Sequence, residues 1–307
     1  MTVSATSSAP VPPGLVVAQQ LPDLLLPVKV RRGVFGFLGN NPTVAIGGLV
    51  LLGLVLIGIF APYLGTVDPT ALAPAKRTRP PSADFWFGTD ALGRDIYSRV
   101  LYGTRVSLTV GISVAVLATL AGLAIGLVSG FVRWADTIIM RFMDGLMSIP
   151  PILLAVALMA LTRGSVGNVI MAITVAEVPR VSRLVRGVVL SLREQAYVDA
   201  AVAAGTRTPM IILRHILPNT LAPMLVQATY VCASAVIVES ILSFIGAGTP
   251  TTIPSWGNIM AEGRALWQVK PFIVFFPAAF LSVTVLAVNL LGDGLRDALD
   301  PRMAKGL

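Results

Sequence analysis

The sequence predicts an all-α integral membrane protein with about six transmembrane helices. Three observations carry this. Of the 307 residues, 55% are hydrophobic and 12% charged, against about 25% charged in soluble domains. The mean hydropathy is +0.82. Several apolar runs reach roughly 20 residues, which at about 1.5 Å per residue cross a hydrocarbon core of about 30 Å. The net charge of +8 does not indicate a nucleic-acid partner. The basic residues sit at segment ends and in loops, as in a membrane protein with retained cytoplasmic loops, and do not form a stripe.

Met1 to about Pro27 is rich in Ser, Pro, Ala and Val. A signal peptide would carry charge before its apolar region, whereas Lys29, Arg31 and Arg32 come late and precede a long apolar run. We expect residues 1–40 to be a largely disordered cytoplasmic tail, followed by an uncleaved first span over about Val44–Tyr63. Asn41-Pro42 marks its start and Ala61-Pro62 its end. Residues 41–105 then comprise this span and an extracytoplasmic loop. Within that loop Asp90 can cap a helix. Leu92, Ile96 and Val100 recur every four residues beside Phe85 and Trp86, which predicts an amphipathic helix lying at the outer interface.

Five further spans form a core over 106–296. The second is about Val106–Phe131. The third, about Thr137–Leu161, contains Pro150-Pro151, which should kink it by removing a donor and clashing one turn back. The fourth is about Val166–Leu190, the fifth about Leu221–Gly248 and the sixth about Phe272–Gly292. Thr249–Lys270 reads as a tight loop with an interfacial tryptophan, Trp256. Gly292 and Gly294 read as helix breaks before a cytoplasmic tail at 297–307. The balance of Lys and Arg near span ends places both termini in the cytoplasm.

Ser191–Pro218 is the longest polar-rich segment inside the apolar part of the chain. Tyr197–Ala204 is dominated by alanine, the best helix former and one that permits close approach. Gly205 ends this helix in a backbone conformation of positive φ. Thr208-Pro209 starts a second one. A short helix with a small-residue face, flanked by Arg193, Glu194, Arg207 and Arg214, suits a groove on a soluble partner; a surface connecting loop accounts for the composition equally well.

Three carboxylates fall within or beside spans, where ionisable groups are costly unless paired or wet. Asp144 lies one turn from Arg141, and Glu177 one turn from Arg180, so a local ion pair is expected for each. Glu239 stands in VIVESILSFIGAG with no basic residue nearby. Either it bonds hydroxyls such as Ser234, Ser240 or Ser243, or a neighbouring helix, or it lines a path. Glu239, Ser243 and Asp144 are therefore the candidate path residues. Cys232 lies in an apolar run, reads as an inert thiol and excludes an intrachain disulfide; one histidine, His215, provides no metal constellation. No G-x-x-x-x-G-K-[ST] run is present, so the chain has no P-loop of its own.

Asp199-Ala200-Ala201, then Gly205, then Leu217-Pro218 resembles the EAA loop of membrane subunits of bacterial ABC importers. Asp199 stands where that pattern has glutamate, and His215 where it has isoleucine. FGTDALGRDIYSRVLYGTRVSL, from Phe87 to Leu108, resembles the second membrane subunit of dipeptide and oligopeptide importers. ESILSFIG resembles the EASLSFLG segment of the same proteins, and NLLGDGLRDALDPR resembles their C-terminal end. The resemblance spans about Ala45–Arg302. It implies a type I ABC importer fold, a bacterial inner-membrane location and a non-catalytic role in peptide uptake within the dipeptide/oligopeptide/nickel family. It also implies a sister permease subunit, two ATP-binding subunits that hold ATP and Mg, and an extracytoplasmic solute-binding protein. Coupling to the ATPases would run through Asp199, Ala200, Ala201, Ala204, Gly205, Arg207, Leu217 and Pro218. The alternative class is an ion- or proton-coupled secondary carrier, against which stand the lack of paired midplane carboxylates and of an internal repeat.

Overall fold

A computed structural model describes Gly39 and residues 41–299. The expected tails at either extreme lie outside the described residues, apart from 297–299, which continue the last helix. The regular structure of the described residues is helical, with an isolated antiparallel bridge between Thr89 and Asp95 and no sheet.

Helix α1, Pro42–Phe60, opens with proline in its first turn, where the missing N–H costs nothing. Its face of Ile46, Leu49, Leu52, Leu56 and Ile59 is exposed, as a lipid-facing stripe should be. Helix α2, Ile96–Phe131, is 36 residues long, about 54 Å at 1.5 Å per residue. The second span thus begins ten residues earlier than expected. Its N-cap is Asp95, whose carboxylate accepts from the Ser98 amide at 2.8 Å.

The third span is broken rather than kinked. Helix α3, Arg133–Met147, and helix α4, Pro151–Ala160, meet at 86° across Ser148–Pro150. Pro151 sits in the first turn of α4 and so starts a new helix instead of bending an old one. Helix α5, Val166–Arg193, is capped by Ser165 and carries Pro179 within it.

The polar segment that follows resolves into α6, Ala196–Ala203, and α7, Thr208–Ile211. A π-helical turn at Ile212–Ile216 joins α7 to α8, Leu217–Phe244. The fifth span therefore starts well before Leu221. Helix α9, Trp256–Gly263, precedes α10, Phe272–Leu299. Gly292 and Gly294 do not break α10. They are contact points: a Cβ on Gly292 would meet Thr229 of α8, and one on Gly294 would meet Val44 of α1.

Packing is set by small residues. Gly122, Gly126 and Gly130 lie one turn apart on α2, and a Cβ on each would stand 2.4–2.7 Å from Val181, Val185 and Val189 of α5. Without a hydrophobic drive between helices in lipid, such stripes hold spans together by close van der Waals contact. Gly111 brings α2 equally close to Cys232 and Val236 of α8, and Gly47 brings α1 onto the backbone of α10. The main core runs between α2, α4, α5 and α8 and includes Val110, Val114, Ala155, Ile173, Val185 and Val231.

The expected interfacial helix at 84–103 is not formed. Residues 84–95 are turns folded into the end of the bundle, with Asp90, Arg94 and Arg99 buried. Asp90 caps no helix; its carboxylate bonds the Arg94 amide at 2.9 Å and the Arg99 guanidinium at 2.6 Å. Trp256 likewise lies at no interface. It is fully buried against Gly103, and its indole N–H donates to the Val100 carbonyl at 3.1 Å.

Candidate functional site

Two ends of the bundle hold the residues singled out by sequence. At one end α5 runs out at Arg193, which donates to the carbonyl of Gly130 where α2 closes. Helix α6 begins three residues later. Val198 and Ala201 pack into the core, while Asp199, Ala200, Val202, Ala203 and Ala204 face outward. The helix closes with two bonds that define a Schellman cap: Thr206 N–H to Ala201 O at 3.1 Å and Gly205 N–H to Val202 O at 2.9 Å. Gly205 has φ +75°, as the sequence predicts. Open space surrounds its Cα, so the demand for glycine is purely conformational.

Arg207 is the exposed N-cap position of α7, and Pro209 sits in that helix's first turn. The ring of Tyr197 comes to 6.2 Å from that of His215, which ties α6 to the π-helical turn. Leu217 and Pro218 open α8, with Pro218 exposed. The eight residues assigned to coupling thus lie on one consecutive stretch, from α6 to the start of α8. Of the expected small face, Ala200, Ala203 and Ala204 are accessible, whereas Ala201 turns inward onto the core.

The three candidate path residues do not come together. Asp144 is exposed near the α6 end and pairs with Arg183 of α5, not with Arg141. A partner across a helix crossing was chosen over the one a turn away. Glu177 does face Arg180 at 3.6 Å, but its stronger contact is a hydrogen bond from Ser234 of α8 at 2.9 Å. Ser234 is therefore unavailable to Glu239.

Glu239 and Ser243 do meet, at the opposite end. Glu239 is fully buried and accepts from Ser243 at 2.8 Å, Ser107 of α2 at 3.3 Å and Ser240 at 3.4 Å. Ser243 also accepts from the Thr249 amide at 3.2 Å. Thr249 continues to Ser255 at 3.3 Å and to Asn258 at 3.0 Å. The Asn258 amide donates to the carbonyls of Thr249, Pro250 and Ile253 as well. The result is a sealed polar network that clamps the 246–255 turn onto α8 and α9. In this conformation it binds helices to one another and presents no open surface.

Sequence reasoning missed a second cluster at the same end. Arg94 and Arg99 converge on Asp90 and on Glu262 of α9, which lies 163 residues from Arg99 in sequence. Arg99 is 1% exposed. The residues were visible as a charged run, but their shared acid could not be found by spacing. The stacked rings of Phe87 and Phe276, 4.0 Å apart, close the same junction from the apolar side.

A multi-pass helical bundle with one exposed, capped helix between two of its spans is the architecture of a membrane transport subunit. The comparisons specify which. The family of binding-protein-dependent transport system inner membrane components matches residues 118–305, and the chain belongs to that family. A probable peptide ABC transporter permease protein of Sinorhizobium fredii is 53% identical over 264 residues, 86% of this chain and 90% of the relative. A dipeptide transport system permease protein of Alkalihalophilus pseudofirmus is 41% identical over 282 residues, 92% of this chain and 93% of the relative. Among solved structures, the inward-facing MetNI methionine ABC transporter superposes with a TM-score of 0.56 at 20% identity. It covers 66% of this chain and 97% of the other, a likeness of fold. The chain is thus a permease subunit of an ABC importer, a multi-pass membrane protein that works with ATPase partners and a binding protein. ATP hydrolysis belongs to those partners. Nothing favours an ion-coupled carrier.

Proposed function

We propose that this chain forms half of the translocation path of a peptide importer and pairs with a different sister permease subunit and two ATP-binding subunits. The observation that carries the coupling role is the geometry of α6. A helix of eight residues ends in a Schellman cap and offers Asp199, Ala200, Ala203 and Ala204 outward, with no covering element among the described residues. Alanines let a partner groove approach the backbone closely, and Arg207 adds a fixed charge beside them. The ATP and Mg then reside in the partner subunits, and their closure would move α6 and tilt the attached α5 and α8.

Peptides are the proposed substrate class because the relatives at 53% and 41% identity are named for peptide and dipeptide transport. The proposed orientation puts α6 and both termini in the cytoplasm, where the excess of Lys and Arg belongs. The test is uptake by the reconstituted assembly with its binding protein. It should require ATP and persist when the proton gradient is collapsed. Uptake driven by the gradient without ATP would overturn the proposal. Mass spectrometry of ligand carried by the purified binding protein identifies the peptide length.

A further inference from the structure

We propose that α3 lies in the plane of the membrane at the α6 end of the bundle, with its outer face seated in the headgroup–acyl boundary of an anionic leaflet.

Three observations point there. First, α3 meets α4 at 86°, and α4 packs along α5 within the bundle. A helix perpendicular to a bundle helix, at the end where α2 stops, runs across that end. The ion pairs agree. Asp136 bonds Arg186 at 2.5 and 2.7 Å, and Asp144 pairs with Arg183. Carboxylates about 12 Å apart along α3 thereby reach arginines only about 4.5 Å apart along α5, which fits a crossing and not a parallel packing.

Second, α3 is divided lengthwise. Ala135 and Met143 are buried against the bundle. Trp134, Ile138 and Phe142, spaced four residues apart, are 74%, 65% and 64% exposed. This is a continuous aromatic and aliphatic ridge with none of the described residues over it. An indole in such a ridge has the amphipathic character that favours the interface.

Third, the charges left over have one sign. Both acids of α3 are consumed by arginines of α5, whereas Arg141, exposed beside the ridge, and Arg133, exposed at the start of the helix, make no ion pair among the described residues. A strip of large apolar side chains bordered by free guanidinium groups matches a surface of anionic phospholipid, with apolar groups entering about 5–10 Å and cations at the phosphates. A sister subunit or an ATPase seated on the ridge is the competing occupant.

The test uses the intact transporter in nanodiscs and takes the Trp134 signal as the difference between wild type and Trp134→Phe. Lipids brominated near the glycerol should quench that signal about twofold more than lipids brominated near the chain end, because an in-plane helix sits shallow. Adding phosphatidylglycerol should increase the quenching, and Arg133→Gln with Arg141→Gln should remove that increase. Absence of quenching would show that protein covers the ridge, and strongest quenching by chain-end bromine would show a spanning helix. Either result overturns the proposal. Quenching indifferent to phosphatidylglycerol overturns its anionic part.

Discussion

Gly205 shows what a single residue contributes. Its φ of +75° closes α6, and a Cβ there would meet none of the described atoms within 4 Å. Gly205→Asn should therefore keep coupling near normal, because asparagine tolerates this conformation. Gly205→Val should cost about 1 kcal/mol or more locally and open the Schellman cap. We expect the valine variant to insert normally but lose ATPase co-purification and ATP-driven uptake; equal activity of the two variants would count against a coupling role for α6. Glu239 presents the opposite case, a buried acceptor of three hydroxyls. Glu239→Gln preserves an acceptor and should assemble well. Glu239→Leu leaves Ser107 and Ser240 short of a partner at roughly 1–3 kcal/mol for each buried group, and should assemble poorly in a detergent thermal-stability assay. Gly205 was legible because its demand is local, an alanine-rich helix followed at once by a glycine. The partners of Glu239 were half legible: Ser240 and Ser243 are neighbours in sequence, whereas Ser107 arrives from another helix.

At the scale of elements, the α2–α5 contact depends on glycines spaced like helix turns. A Cβ at Gly126 would stand 2.4 Å from Val185. Gly126→Val should force the helices apart at a cost of about 1–3 kcal/mol or more, lowering the yield of assembled transporter. Gly126→Val paired with Val185→Gly should recover part of it, and a failure of any recovery would mean that the contact does not govern packing. The G-x-x-x-G-x-x-x-G spacing stands in the sequence of the second span but was not singled out there, because spacing alone does not name the helix it packs on. The break between α3 and α4 was readable in a weaker sense. Two prolines announce a deviation, but the 86° angle itself depends on what α3 and α4 pack against, α2 and α5 among them.

For the molecule as a whole, the Asp90, Arg94, Arg99 and Glu262 cluster joins the 84–95 turns to α9. Arg99→Met removes one of two cations and leaves two acids, one of them fully buried, facing Arg94 alone. Breaking such a buried pair costs about 3–5 kcal/mol. Arg99→Met combined with Glu262→Leu leaves the neutral Arg94–Asp90 pair and should regain much of the thermal stability of the purified complex. A double variant no more stable than Arg99→Met would show that the cluster is not a charge-balanced unit.

The sequence by itself determined that this chain crosses a membrane several times and where its exposed capped helix lies. Each of these depends on composition or on spacing within one helix turn, and such signals survive without knowledge of any neighbour. Against six expected spans, the described residues hold four helices long and apolar enough to cross, or five with the bent α3–α4 pair. Tertiary structure alone decided the fate of the polar residues between spans. The run from Asp84 to Gly103 has the apolar spacing of an interfacial helix, yet Arg94 and Arg99 are held between Asp90 and Glu262, so the chain folds inward and α2 starts at Ile96. Asp144 has Arg141 within a turn and pairs with Arg183 instead. Trp256 has the surroundings of an interfacial residue and finds its hydrogen-bond acceptor, the Val100 carbonyl, in the core. The physical reason is common to all three. A charge or an indole is satisfied by whichever complementary group the packed helices bring near, and that choice is made only when the spans have closed on one another.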